Sequence, residues 1–116
     1  MKSRVNGGVF MVLLMSNLMI WTSSTQALDI TKAKHIAVSN ACMGCHTFDR
    51  KIVGPAYKDI IRKYNGDKNA VAKLVKKVRT GGSGVWGAIP MPAYPGLSDA
   101  DAKTVVDWIM IGAPMK

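Results

Sequence analysis

Two cysteines and a histidine stand within one pentapeptide, Cys42-Met43-Gly44-Cys45-His46, and this spacing constrains the chain more than any other feature. The pattern Cys-x-x-Cys-His is the attachment sequence of c-type haem, in which both thiols add across the vinyl groups of the porphyrin as thioethers. The histidine next in sequence then lies under the iron, where its imidazole can supply an axial nitrogen. The motif therefore predicts one covalently bound haem c, held by Cys42 and Cys45, with His46 as an iron ligand.

Three other uses of a Cys-x-x-Cys pair are less well supported by this sequence. A thioredoxin-like redox pair needs a βαβ context, and no alternating strand pattern longer than four residues appears. A zinc site could recruit Cys42, Cys45, His46 and His35, but the second ligand pair of the usual spacing is missing. A disulfide between the two cysteines would close so short a loop that it would constrain little unfolded-state entropy.

The first 27 residues resemble a secretory signal peptide. A charged start precedes an apolar run over residues 9–21, and small residues at Thr25 and Ala27 match a cleavage site. Polar residues interrupt the run, and it is shorter than the roughly 20 apolar residues that span a membrane. We therefore expect cleavage after Ala27, export to the periplasm without stable membrane insertion, and one mature domain at 28–116.

The mature chain has four segments with apolar residues at helical spacing, which predicts an all-α fold. They lie at about 31–41, from Gly54-Pro55 to Gly66, from Asp67 or Asn69 to Gly81, and from Ser98 to Gly112. A Gly- and Pro-rich loop of about 18 residues, 80–97, separates the last two, and so long a loop in a small domain is usually functional. We expect a proline in the first turn of the second helix. The expected core aromatic residues are Phe48, Tyr57, Tyr64 and Trp108.

The second axial ligand must come from a methionine, His35 or a lysine. Met91 is preferred because flanking prolines fix the backbone around it, which holds its thioether on a stiff part of the long loop. Met110 has the spacing of a core residue, Met115 lies near the end of the chain, and His35 belongs to no motif, so these remain as less favoured alternatives. Trp86, five residues before Met91, has an indole N–H that could donate to a haem propionate.

With these motifs, the chain resembles the small bacterial class I cytochromes c of the c-551/c-552 type. The resemblance covers nearly all of the mature chain and rests on the haem motif and on the blocks 51–60, 84–92 and 98–102. It implies a class I cytochrome c fold of about four helices wrapped around the haem, with His46 and Met91 as axial ligands. It further implies that the Pro55 carbonyl orients the His46 imidazole and that Trp86 bonds a propionate.

The chain departs from the pattern of these relatives at two positions. Lys77 stands where several relatives have a propionate-binding arginine, and a lysine lacks the planar bidentate fork of arginine. Tyr94 stands where relatives often have asparagine, three residues after Met91. We keep Lys77 as a candidate propionate contact, and we expect no amide influence on the Met91 sulfur.

Histidine and methionine together fill both axial positions, so we expect an electron carrier and no enzyme activity. Expected redox partners are a donor such as a membrane cytochrome complex and an acceptor such as a periplasmic reductase or terminal oxidase.

The chain has 16 Lys and Arg against 7 acidic residues, a net charge of +9, which favours brief docking to acidic proteins. The cations are spread over several helices, which argues against a nucleic-acid partner. We expect a monomer; a haem enzyme or gas sensor, and a subunit of a larger complex, are the alternatives.

Overall fold

The computed structural model describes residues 19–20 and 27–116 of the chain. The expected signal peptide, 1–27, therefore lies almost entirely outside the described residues. The helices are α1 (Ile30–Ser39), α2 (Tyr57–Tyr64), α3 (Ala70–Thr80) and α4 (Asp99–Met110), with a short 3-10 turn at Cys42–Gly44. The predicted all-α fold class is confirmed.

Side-chain caps explain where α1 and α4 begin. The Asp29 carboxylate accepts the Lys32 N–H at 2.9 Å, and the Ser98 hydroxyl accepts the Asp101 N–H at 3.1 Å, so each cap satisfies a backbone donor without a helical partner. The Asp101 carboxylate forms an ion pair with Lys32 at 2.8 Å, which joins α4 to α1. Helix α1 ends before Ala41, whose left-handed φ of 54° turns the chain into the Cys-x-x-Cys-His motif.

Helix α2 begins later than its sequence indicates. Ala56 is the N-cap in an extended conformation and Tyr57 is the first helical residue, so the expectation that Pro55 lies in the first turn is wrong. The Tyr57 N–H donates to the Thr47 carbonyl at 2.9 Å, which seats the segment after the motif on the start of α2. Pro55 is thereby left outside the helix with its carbonyl free to face another group.

The long loop between α3 and α4 contains a small antiparallel hairpin, which the sequence analysis missed. Strand β1 (Gly82–Gly84) pairs with β2 (Gly87–Met91), with Gly82 opposite Met91. A strand that is half buried shows alternating hydrophobicity, but β1 contains only Gly and Ser and nearly all of β2 is exposed. The hairpin tip is the pair Val85-Trp86, between Gly84 and Gly87.

The apolar core lies among α1, α2 and α4, and it is centred on Trp108, which is fully buried. Tyr57 is also buried, and Tyr64 packs against the core at half exposure, as expected. Phe48 is 42% exposed, so its expected core position is wrong: it lies on the loop after the motif. None of the helices in the described part of the chain is long and apolar enough to cross a membrane.

Candidate haem site

One cleft gathers the residues that the sequence analysis singled out. Its empty volume, with open solvent at its mouth included, is about 1170 Å³, and it lies between the loop that carries His46, the hairpin, and helices α2, α3 and α4. The seven predicted site residues all line it: Cys42, Cys45, His46, Pro55, Lys77, Trp86 and Met91. Among the described residues that form its walls, Lys77 is the one charged lysine, arginine or carboxylate side chain.

We call the segment from Cys42 to Tyr57 the histidine wall. The His46 Nδ1 lies 2.7 Å from the Pro55 carbonyl oxygen. Because a carbonyl oxygen can only accept, Nδ1 must carry the proton and donate it. This tautomer leaves the lone pair of Nε2 free, which is the arrangement in which an imidazole binds a metal ion. The Pro55 carbonyl therefore fixes both the proton and the orientation of the ring.

The His46 ring is also held on its faces. A Cβ atom added at Gly54 would lie 2.5–2.9 Å from three atoms of the imidazole, closer than real Cβ contacts allow, so only glycine fits there. The Tyr57 ring stacks on His46, with centroids 5.4 Å apart and an interplanar angle of 15°. Tyr57 in turn packs against Trp108 in an edge-to-face arrangement, with ring centroids 6.1 Å apart, and this connects the imidazole to the buried core.

Burial raises the pKa values of two groups on this wall. It raises the pKa of the Tyr57 hydroxyl, which stays protonated and donates to the Met43 sulfur at 3.8 Å. It also raises the pKa of the Cys42 thiol, mainly through loss of solvation. Both cysteines are free and half-buried at the cleft, so their sulfurs are available for covalent attachment.

We call the hairpin Gly82–Met91, with the segment that follows it, the methionine wall. Met91 is half-buried at the end of β2. A Cβ atom at Gly81, where φ is +65°, would collide with the Met91 carbonyl oxygen, so the backbone at Met91 packs closely against the end of α3. The Tyr94 N–H donates to the Val78 carbonyl at 3.1 Å, and this bond ties the next residues to the same helix.

Trp86 lies on this second wall, and Lys77 lies beside it. Lys77 belongs to the last turn of α3, and its ammonium approaches Gly82 of the hairpin. Trp86, at the hairpin tip, is 37% exposed, and the Nζ of Lys63 lies over its ring at 5.5 Å from the centroid. The ammonium of Lys77 and the indole N–H of Trp86 are both donors at the cleft, and donors of this kind suit carboxylate groups such as haem propionates.

The other candidate ligands lie elsewhere. His35 is exposed on α1, Met110 is half-buried on α4, and Met115 is exposed near the end of the chain; none of them lines the cleft. Within the described residues, no three His, Cys, Asp or Glu side chains converge on a common point as a metal site. The donors in the cleft are instead two thiols, one imidazole with a free Nε2, and a thioether, and this set fits a covalently attached haem.

Two residues that shape the site were missed by sequence reasoning. Gly54 was interpreted only as part of the Gly-Pro pair that precedes α2, although a glycine beside a proline also permits close backbone approach. No sequence pattern indicated a role for Lys63, because its partner Trp86 lies 23 positions away in the chain.

Known proteins resemble both the sequence and the fold. The family model for cytochrome c matches residues 30–111. The chain is 49% identical to cytochrome c-552 of Nitrosomonas europaea over 65% of this chain and 73% of that protein, and 42% identical to cytochrome c-551 of Allochromatium vinosum over 79% and 98%. The crystal structure of the Nitrosomonas europaea cytochrome c552 superposes with a TM-score of 0.64 at 47% identity, covering 68% of this chain and 98% of that one.

A second solved structure, the class 1 cytochrome MtoD from Sideroxydans lithotrophicus ES-1, matches with the same TM-score of 0.64 at 34% identity, over 73% of this chain and 97% of that one. Cytochromes c of this type carry one covalently attached haem c and act as electron carriers, and Cys42 and Cys45 of this chain fit their attachment motif. With the four helices, the cleft and the attachment motif in one domain, the chain belongs to the cytochrome c family, as a small class I protein of the c-551/c-552 type.

Proposed function

We propose that this protein carries single electrons in the periplasm between respiratory redox partners, on a haem c ligated by His46 and Met91. The observation that carries the proposal is that one cleft contains both attachment cysteines, an imidazole with a free Nε2, and one thioether. When bound, the haem supplies a one-electron iron couple. The chain's own residues determine which coordination positions remain open.

The proposed role of the histidine wall is to hold the ligand nitrogen still. Nδ1 donates to the Pro55 carbonyl, which strengthens the electron donation of Nε2, and Gly54 and Tyr57 restrict rotation of the ring. Met91 would supply the second protein ligand to the iron, and its soft thioether would favour the reduced iron and raise the reduction potential. With both positions filled by side chains, transfer needs no bond to a partner.

Two further contacts complete the proposed haem site. The indole N–H of Trp86 and the ammonium of Lys77 are proposed to bind the propionates, since both line the cleft and both can only donate. Lys77 gives a single point charge where an arginine would give a bidentate fork, so we expect its contact to be the weaker of the two.

Carbon monoxide separates this function from that of a haem enzyme or gas sensor. A carrier with both axial positions filled should bind carbon monoxide poorly in the ferrous state, whereas the Met91→Ala variant should bind it readily. Difference spectra of both proteins at increasing gas pressure measure this. Tight binding by the unmodified protein would favour an enzyme or sensor with an open iron position.

The proposed location depends on residues 1–27, which have the charged, apolar and small-residue sections of a signal peptide. Expression in a host with an export and haem-attachment system should yield a periplasmic protein that begins at Leu28. Its mass should include one haem that resists acid-acetone extraction. A cytoplasmic protein that retains residues 1–27 would contradict the location, while retention of the haem would still support the covalent site.

We further propose that the protein is a monomer that docks briefly to acidic partners. Five of the seven Asp residues are paired with cations of the same chain, so cations such as Lys51 and Lys58 remain available to partners. Lys51 pairs with His46 in an isolated backbone β-bridge and so belongs to the histidine wall, and Lys58 lies beside that wall, one residue after Tyr57. The partners expected are a membrane cytochrome complex as donor and a periplasmic reductase or terminal oxidase as acceptor.

The salt dependence of electron transfer tests the docking proposal. The bimolecular rate with an acidic partner should fall as the Debye length shrinks from about 30 Å at 0.01 M salt to about 8 Å at 0.15 M. Lys51→Gln and Lys58→Gln should weaken this dependence more than Lys116→Gln, which removes the same charge at the end of the chain. A bimolecular rate that does not change with salt concentration for any acidic partner would contradict charge-assisted docking. Sedimentation at micromolar concentration tests the monomer, and a stable complex with another chain would favour the subunit alternative.

A further inference from the structure

We propose that Lys63 is a positioning residue that holds the Trp86 hairpin to helix α2 across the mouth of the cleft. The Lys63 ammonium lies 5.5 Å from the centroid of the Trp86 ring, within the roughly 6 Å range of a cation–π interaction. Trp is the strongest aromatic partner for such a contact. The inference rests on the proposed function only where it bears on haem binding, since the contact itself lies within the chain.

The arrangement of charges on α2 supports a specific contact. Asp59 lies four residues before Lys63, at a spacing that favours an ion pair on a helix. Asp59 instead pairs with Arg62 at 3.1 Å. In the described part of the chain no carboxylate lies within ion-pair distance of Lys63, and its ammonium reaches over the indole.

The hairpin has few other contacts that would hold its tip. Both strands are almost entirely exposed, the tip residue Val85 is 48% exposed, and the register is irregular between Gly82 and Gly84. At its base, the Gly81 contact and the Tyr94 hydrogen bond attach the segment to α3. Lys63 attaches the tip to a different helix, α2, and it therefore limits how far the hairpin can open.

A cation over the ring face also determines how Trp86 can be used. The ammonium occupies a face of the indole, so the N–H, which lies in the ring plane, stays free to donate. Trp108 differs, because its N–H donates to the Pro114 carbonyl at 3.0 Å inside the chain. Lys63 thus keeps the Trp86 ring at the cleft without competing for its hydrogen-bond donor.

Hydrogen exchange of the hairpin amides in the haem-loaded protein tests the proposal. Loss of the contact in Lys63→Gln should speed exchange of the amides that pair β1 with β2 roughly two- to fivefold, which corresponds to about 0.5–1 kcal/mol in the opening equilibrium. Lys63→Arg should exchange like the parent protein, because arginine also makes cation–π contacts. Lys58→Gln is the matched control, since it removes an equal charge from the same helix and its ammonium lies over no aromatic ring of the described residues.

A double-mutant cycle shows whether the effect runs through the indole. In a Trp86→Leu background, Lys63→Gln should change exchange of the hairpin amides no further. Equal exchange in Lys63→Gln and Lys58→Gln, or an undiminished Lys63 effect in the Trp86→Leu background, would overturn the proposal. If this inference fails while the unmodified protein keeps its thioether-to-iron absorption band, the proposed function stands; loss of that band in the unmodified protein would remove the function instead.

Discussion

The two walls of the cleft are built from different kinds of contact. On the histidine wall, His46 is held by a hydrogen bond from its Nδ1, by the absence of a side chain at Gly54, and by the Tyr57 ring that rests on buried Trp108. On the methionine wall, Met91 ends an exposed hairpin, and its neighbours reach α3 and α2 through a few backbone and surface contacts. The chain therefore holds one proposed ligand, His46, through its core and the other, Met91, through a surface element.

The difference indicates which wall depends more on bound haem for its order. The histidine side is already complete in its hydrogen bonding and packing, whereas exposed glycine-rich strands lose much conformational entropy when they are ordered. We therefore expect substitutions on the histidine wall to act through stability and ligand geometry. Substitutions on the methionine wall should act through opening of the hairpin and loss of the proposed Met91 ligand.

The largest effect is expected from Trp108→Ala. Removing a fully buried indole from the core leaves a cavity under Tyr57, and the free energy of unfolding should fall by about 3–5 kcal/mol. Denaturant unfolding of the haem-loaded protein, followed by circular dichroism, measures this loss. Ile111→Ala, at a 58% exposed position next to the same helix, should cost far less. Equal losses would mean that Trp108 does not support the histidine wall.

A smaller effect is expected from Gly54→Ala. The added methyl group would press on the imidazole, and the overpacking should cost about 1–3 kcal/mol in the free energy of unfolding. The imidazole must also rotate or shift, so the paramagnetic NMR shifts of the ferric protein should change. Gly96→Ala is the control, because a Cβ there meets no atom within 4 Å. Unchanged paramagnetic shifts in Gly54→Ala would show that the histidine wall does not constrain the ring.

The smallest effect concerns α3, on which the methionine wall rests. Hydrogen bonds from the Lys73 ammonium and the Asn69 N–H lower the pKa of the half-buried Asp67 carboxyl, which lies just before α3. A lowered folded pKa means that Asp67 stabilises the fold above the ordinary aspartate pKa of about 3.9 and loses that contribution as the pH falls through the folded value.

Asp67→Asn should therefore lower Tm slightly at neutral pH, and the difference from the parent protein should shrink as the pH falls below the ordinary aspartate pKa and through the lowered folded value. Thermal unfolding across this pH range is the measurement. Asp49→Asn removes an exposed carboxylate that has no ion-pair partner in the described residues, and it should change Tm less. A Tm difference for Asp67→Asn that persists at low pH would assign the effect to packing.

Local patterns in the sequence were sufficient for the parts of the molecule that local chemistry determines. The four helices follow from the spacing of their apolar residues. The hairpin was missed because β1 has no apolar residues to alternate, and the exposure of Phe48 depends on how the loop after the motif folds back. No local pattern reports such long-range packing.

The candidate site divides in the same way. The pentapeptide predicts covalent attachment because it contains the reacting atoms at a fixed spacing. The flanking prolines favour Met91 as the second ligand because they stiffen the loop around it. The close approach of Gly54 to His46 and the contact between Lys63 and Trp86 join residues that are eight and 23 positions apart. Those contacts follow from the folded chain, so they could be found only in the structure.

The far-red absorption band of the ferric protein tests most directly whether Met91 binds the iron, because this band arises from charge transfer between a thioether sulfur and the iron. We predict that the unmodified protein has this band, that Met91→Ala lacks it, and that Met110→Ala, which removes a thioether outside the cleft, retains it. A band that survives Met91→Ala, or one that disappears in Met110→Ala, would contradict Met91 as the axial ligand and with it the account of the methionine wall.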